Sequence, residues 1–133
     1  MCLLWRSSRM YPYDVSEDPP LALLTVQVTD PASGRQVSLP GKLDTGSGIS
    51  ILPEKTATKL GLQAEAEVWV AGYDGTPALL PAYFVAVTLA GHTVTMLKVT
   101  ASPRSQMFLG RDVLRHFIAT FDGKKQVFDL IDP

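Results

Sequence analysis

Cysteine is nearly absent: the 133 residues contain one, Cys2. A single thiol forms neither an internal disulfide nor a thiolate metal site. It fits a reducing compartment, so a cytoplasmic location is expected. Histidine is almost as scarce. His92 and His116 are the only two, which excludes a His-rich metal site. A Ser-His-Asp triad would have to use one of them, yet no Gly-x-Ser-x-Gly elbow surrounds any serine. Surplus charge is missing as well. Lys and Arg number 12 against 13 Asp and Glu, a formal net charge of -1. Nothing in that balance holds a phosphate backbone, so nucleic acid is not an expected partner. The longest apolar-rich stretch, residues 77–91, is interrupted by Pro81. It falls short of the ~18–20 residues of a spanning helix, and no membrane association is expected. The first ten residues are too short in their apolar part for a secretory signal.

What the chain does have is ordinary apolar content, 46% hydrophobic residues with 19% charged. That composition describes a folded domain rather than a disordered tail, and the length suits one domain. Residues 1–20, ending in Pro19-Pro20, read as a leader of loose order, and residues 21–133 as the domain. Ten glycines and ten prolines imply many turns and few long helices. Strand-forming runs occur at 21–29, 35–39, 49–52, 67–71, 78–89, 93–100, 107–109, 118–121 and 126–130. Pro53 opens and Gly61 closes a two-turn helix over 54–60. A second short helix is expected over 110–117. The fold class is therefore all-β with two short helices.

The chemically informative piece is Asp44-Thr45-Gly46-Ser47. Three fixed residues are weak evidence alone and need context. The context is an apolar Leu43 before the triplet and an apolar strand and helix after it. Far downstream stands Phe108-Leu109-Gly110-Arg111-Asp112. Together these resemble the retroviral-type, or retropepsin-like, aspartic proteases, with the features of a non-viral member. The resemblance spans about residues 21–130. It implies a single-lobe acid-protease fold, a closed barrel-like sheet carrying a flap hairpin. Asp44 would be the catalytic residue, with Thr45, Gly46 and Ser47 forming the active-site loop. Residues 68–84 would form the flap, with Trp69, Tyr73, Asp74 and Gly75 near substrate. Phe108, Leu109, Gly110, Arg111 and Asp112 would back the loop structurally. No metal or organic cofactor is implied.

Peptide hydrolysis by this route uses two carboxylates around one water. One takes the water's proton; the other, protonated, hydrogen-bonds the scissile carbonyl. Like charges about 3 Å apart do not both ionise, so the pair shares a proton. This chain holds one triplet, hence half a site. The expectation is a homodimeric aspartic endopeptidase acting on extended peptide or protein substrates, at bonds flanked by apolar residues because the groove walls should be apolar. Ser47 is expected to bond the outer carboxylate oxygen. The alternative is a catalytically inactive dimerisation or peptide-binding module of the same fold. One departure from the family pattern is Gly48, where an acidic residue often pairs with the helix arginine. Arg111 is then expected to pair with Asp112 or a C-terminal carboxylate.

Overall fold

The computed structural model describes residues 10–72 and 74–132. The readings placed on Cys2 and Tyr73 lie outside the described residues. In chain order the elements are β1 (Tyr11–Pro12), β2 (Leu23–Thr29), β3 (Gln36–Leu43), β4 (Ile51–Pro53), α1 (Glu54–Leu60), β5 (Ala66–Ala71), β6 (Pro77–Leu89), β7 (His92–Ser102), β8 (Met107–Leu109), α2 (Arg111–Leu114), β9 (Ile118–Asp122) and β10 (Val127–Ile131).

Strict alternation in β2 buries Leu24, Val26 and Val28 and turns Thr25 to solvent. A strand of that pattern needs partners on both edges and a core on one face. β2 finds them in β3 and β6. The sheet runs β2-β3-β8-β4-β7-β6 and returns to β2, where Val28 lies opposite Val87, so six strands close a barrel. Its interior holds Val26, Val28, Leu52, Val85, Val87, Val99, Met107 and Leu109. Each such side chain contributes about 1.5–3 kcal/mol by leaving water.

β6 is one strand with two lives. Residues 83–89 pair with β7 inside the barrel, with an irregularity between Val85 and Val87. Residues 77–82 pair instead with β5, forming a hairpin whose register runs from Ala66 opposite Ala82 to Ala71 opposite Pro77. The changeover falls between Ala82 and Tyr83, just after Pro81, which has no N–H to donate. Its carbonyl accepts the Thr100 hydroxyl at 2.9 Å.

α1 follows the sequence signals. Pro53 stands at its N-cap in extended conformation, and Gly61 ends it at φ 68°, where its N–H bonds the carbonyls of Ala57 and Thr58. α2 is shorter than the 110–117 expected. After Leu114 the bonds tighten to three-residue spacing, His116 N–H to Val113 O and Phe117 N–H to Leu114 O.

A second, three-stranded antiparallel sheet has the order β1-β10-β9. The hairpin expected across residues 122–125 is present, with Val127 opposite Asp122. Residues 10–20, read from sequence as a leader, contribute β1. Tyr11 stacks on the fully buried Phe128 at 5.2 Å between ring centroids, and Tyr13 covers it at 6.1 Å. No helix among the described residues is long and apolar enough to cross a membrane.

Candidate active site

β3 delivers Asp44. The strand ends at Leu43, which is buried and donates its N–H to Ala22 O. The next N–H, of Asp44, goes to Leu109 O at 2.9 Å, extending the parallel pairing with β8. Asp44 is thus held by backbone on a barrel strand, while its side chain stays half-buried. The loop then turns back on itself. Gly46 N–H donates to Asp44 Oδ1 at 3.1 Å, and Ser47 N–H to Asp44 O at 3.2 Å. Thr45 and Gly46 are exposed. A carboxylate holding one backbone donor and otherwise open can accept a proton from water or share one with a second carboxyl.

α2 and its approach lock this loop from behind. Arg111 N–H donates to Ser47 O at 2.8 Å. Gly110 N–H donates to Ser50 Oγ at 2.9 Å, and the Ser50 hydroxyl donates to Asp112 Oδ1 at 2.7 Å. Asp112 Oδ2 accepts Ser50 N–H at 2.9 Å, and Oδ1 also takes the N–H of Val113. Gly110 is required by proximity. A Cβ there would stand 2.7 Å from Ser47 O and 3.0 Å from the Ile49 backbone. Phe108 and Leu109 supply the strand on which the loop rests, Leu109 wholly buried.

Two expectations change. Ser47 Oγ donates to Ile49 O at 2.6 Å rather than to the Asp44 carboxylate, because the loop bends its hydroxyl inward. Among the described residues Arg111 forms no ion pair with Asp112 or a carboxylate near the C-terminus; Asp112 is occupied by Ser50. Its Nη1 donates to Thr45 O at 2.7 Å, and its Nη2 lies 3.3 Å from the point where Gly48 would carry a Cβ. Lack of a side chain at 48 leaves the guanidinium room against the loop. Ser50, not among the expected site residues, is fully buried and bonded from both sides. A polar residue within the apolar run 49–52 was the available signal.

The β5–β6 hairpin carries the remaining candidates. Trp69 lies opposite Leu79, and both are exposed, Trp69 at 67%. At the tip Gly72 and Thr76 bond each other, Gly75 adopts φ 78°, and Asp74 Oδ1 accepts Thr76 N–H at 2.9 Å. That backbone bond holds the Asp74 carboxyl below its ordinary value of 3.8. Among the described residues no hydrogen bond joins the tip to the Asp44 loop. A cavity of about 450 Å3 sits between α1 and the root of the hairpin, lined by Glu54, Leu80, Pro81 and Tyr83 among others, and holds none of the candidates.

Among the described residues neither histidine is hydrogen-bonded to a serine. Their rings stack at 5.5 Å, and His92 Nδ1 lies 2.6 Å from Asp132 Oδ2. Among the described residues no three His, Cys, Asp or Glu side chains are grouped to hold a metal ion.

Comparison with known proteins agrees with this architecture. Among solved structures, a retropepsin-like aspartic protease from Rickettsia conorii superposes with a TM-score of 0.61 at 16% identity, covering 93% of this chain and 89% of that one. EIAV protease, solved with the inhibitor HBY-793, gives 0.55 at 19% identity, with 71% and 86% covered. The foamy viral protease-reverse transcriptase gives 0.56 at 22% identity, covering 71% of this chain and 12% of that one. No curated protein matches the chain. The family model for aspartyl proteases matches residues 26–113, from the first barrel strand through α2. The fold is retropepsin-like, and the chain belongs to the aspartyl protease family.

Proposed function

We propose that the protein is an aspartic endopeptidase that works as a homodimer, with Asp44 of each subunit as the catalytic pair. The observation that carries this reading is the setting of Asp44. Its backbone is fixed to β8, its loop is locked by α2, and its carboxylate remains accessible with one internal donor. Such a group is held in place yet free to react. The chain has one Asp-Thr-Gly triplet, so a second copy across a two-fold axis supplies the other carboxyl. Thr45 and Gly46, both exposed, lie at the centre of that contact.

In the dimer one carboxylate takes a proton from a shared water as it attacks the peptide carbonyl. The protonated partner donates to the developing oxyanion. The β5–β6 hairpin covers the extended substrate and excludes water, with Trp69 and the tip nearest the peptide. Activity is highest on the acid side of neutral, where the pair keeps one proton.

The test is cleavage of a mixed peptide library, read by mass spectrometry, beside sedimentation over a concentration series. Wild type cleaves and self-associates; Asp44→Asn associates and does not cleave. Turnover retained by Asp44→Asn, or a rate rising steadily from pH 5 to 9, overturns the assignment. Association without cleavage by wild type favours the inactive binding module.

A further inference from the structure

A second cavity, about 420 Å3, is lined by Lys42, Phe108, Arg104, Ser105, Gln106 and Glu17 among others. Its place follows from the ladder. Lys42 lies opposite Phe108 where β3 and β8 run parallel. Side chains alternate along a strand, and the intervening Leu43 is buried in the core. Lys42 therefore points away from the core, and Asp44 follows two residues on, about 7 Å along the backbone. The cavity lies on the face of β3 that carries Lys42, two residues before Asp44.

Two cations converge there on one ring. Lys42 Nζ is 5.4 Å from the Phe108 centroid, and the guanidinium carbon of Arg104 is 5.1 Å from it. Both distances lie within cation–π range. The ring restrains two long side chains that would otherwise be ordered only on binding. Neither cation has a carboxylate within ion-pair distance among the described residues, where the one ion pair is His92 with Asp132. Like charges held beside the same ring repel, and an anion seated between them removes that repulsion while accepting charge-assisted hydrogen bonds. The guanidinium fork matches a carboxylate in shape. The acidic lining group is Glu17, from the turn between the paired residues Asp14 and Leu21.

We infer that this cavity is a subsite for an acidic substrate side chain, so that peptides with Glu or Asp close to the scissile bond are preferred. The inference rests on the protease reading above and replaces the expectation of wholly apolar walls.

The experiment has two independent readouts. In the first, wild type digests the peptide library, and a cleaved peptide is resynthesised with Glu, Gln or Lys at the position beside the scissile bond. The Glu peptide is turned over about tenfold better than the Gln peptide in kcat/KM, and the advantage shrinks with added salt. Lys42→Glu with Arg104→Glu inverts the order in favour of Lys. The single variants Lys42→Gln and Arg104→Gln each weaken the preference if the double variant does not fold. Equal turnover of Glu and Gln peptides, or an acidic preference surviving charge reversal, overturns the subsite. In the second readout, immobilised Asp44→Asn retains peptides from the same library. Acidic enrichment supports the subsite and its absence overturns it, even if wild type cleaves nothing and the protease reading has failed on its own.

Discussion

The Asp44 loop and the tip of the β5–β6 hairpin are both exposed turns, yet they are held in different ways. The loop has local bonds of its own, but it is also anchored from far along the chain. Asp44 bonds Leu109, Thr45 and Ser47 bond Arg111, and Ser50 bonds Gly110 and Asp112. The tip is held by its own neighbours: Gly72 with Thr76, Gly75 with Gly72, and Thr76 with Asp74. A segment tied by tertiary bonds opens only with the barrel, whereas one tied locally opens alone at small cost. The same fold thus supplies a fixed carboxylate and a hairpin tip held only by its neighbours.

The sharpest challenge to that contrast is Gly110→Ala. The new methyl meets backbone on two sides, which cannot move without shifting the loop. A loss of about 3 kcal/mol in urea denaturation is expected. Asp112→Ala comes next. It strips Ser50 of partners for its N–H and hydroxyl, at a cost of about 2 kcal/mol. Combined with Ser50→Ala the effect should be less than additive, and strict additivity would break the proposed network. Trp69→Ala, on the hairpin, should change stability by no more than about 0.5 kcal/mol, because the indole is already exposed. A loss matching that of Asp112→Ala would erase the distinction between the two regions.

The smallest effect concerns pH at the tip. The Thr76 N–H lowers the folded pKa of Asp74. A depressed carboxyl pKa stabilises the turn above the unfolded value of 3.8, and that contribution fades as pH falls through the folded pKa. Carboxyl NMR should place the Asp74 midpoint below that of a peptide with the same tip sequence. Coincident midpoints would show the turn to be open.

Much of this was legible in the residues. Pro53 and Gly61 mark α1 because caps are local chemistry, and the 122–125 turn marks its hairpin for the same reason. Asp44 stood out because its triplet and the Phe108–Asp112 stretch could be compared as a pair. What escaped is non-local. Ser50 is ordinary until Asp112 and Gly110 arrive from sixty positions away. Lys42 and Arg104, about sixty positions apart, come together only where both meet Phe108. Ser47 and Arg111 found partners set by the loop's bend, which no spacing rule encodes.

Pro81, beside the junction in β6, has a mechanical consequence. On the barrel side its carbonyl is gripped by the Thr100 hydroxyl, and beyond it β6 continues without interruption into the hairpin. The outer half of that strand is therefore an arm on a fixed fulcrum. Swinging it leaves the barrel wall at rest, and its length can be altered without resetting where the carboxylate sits.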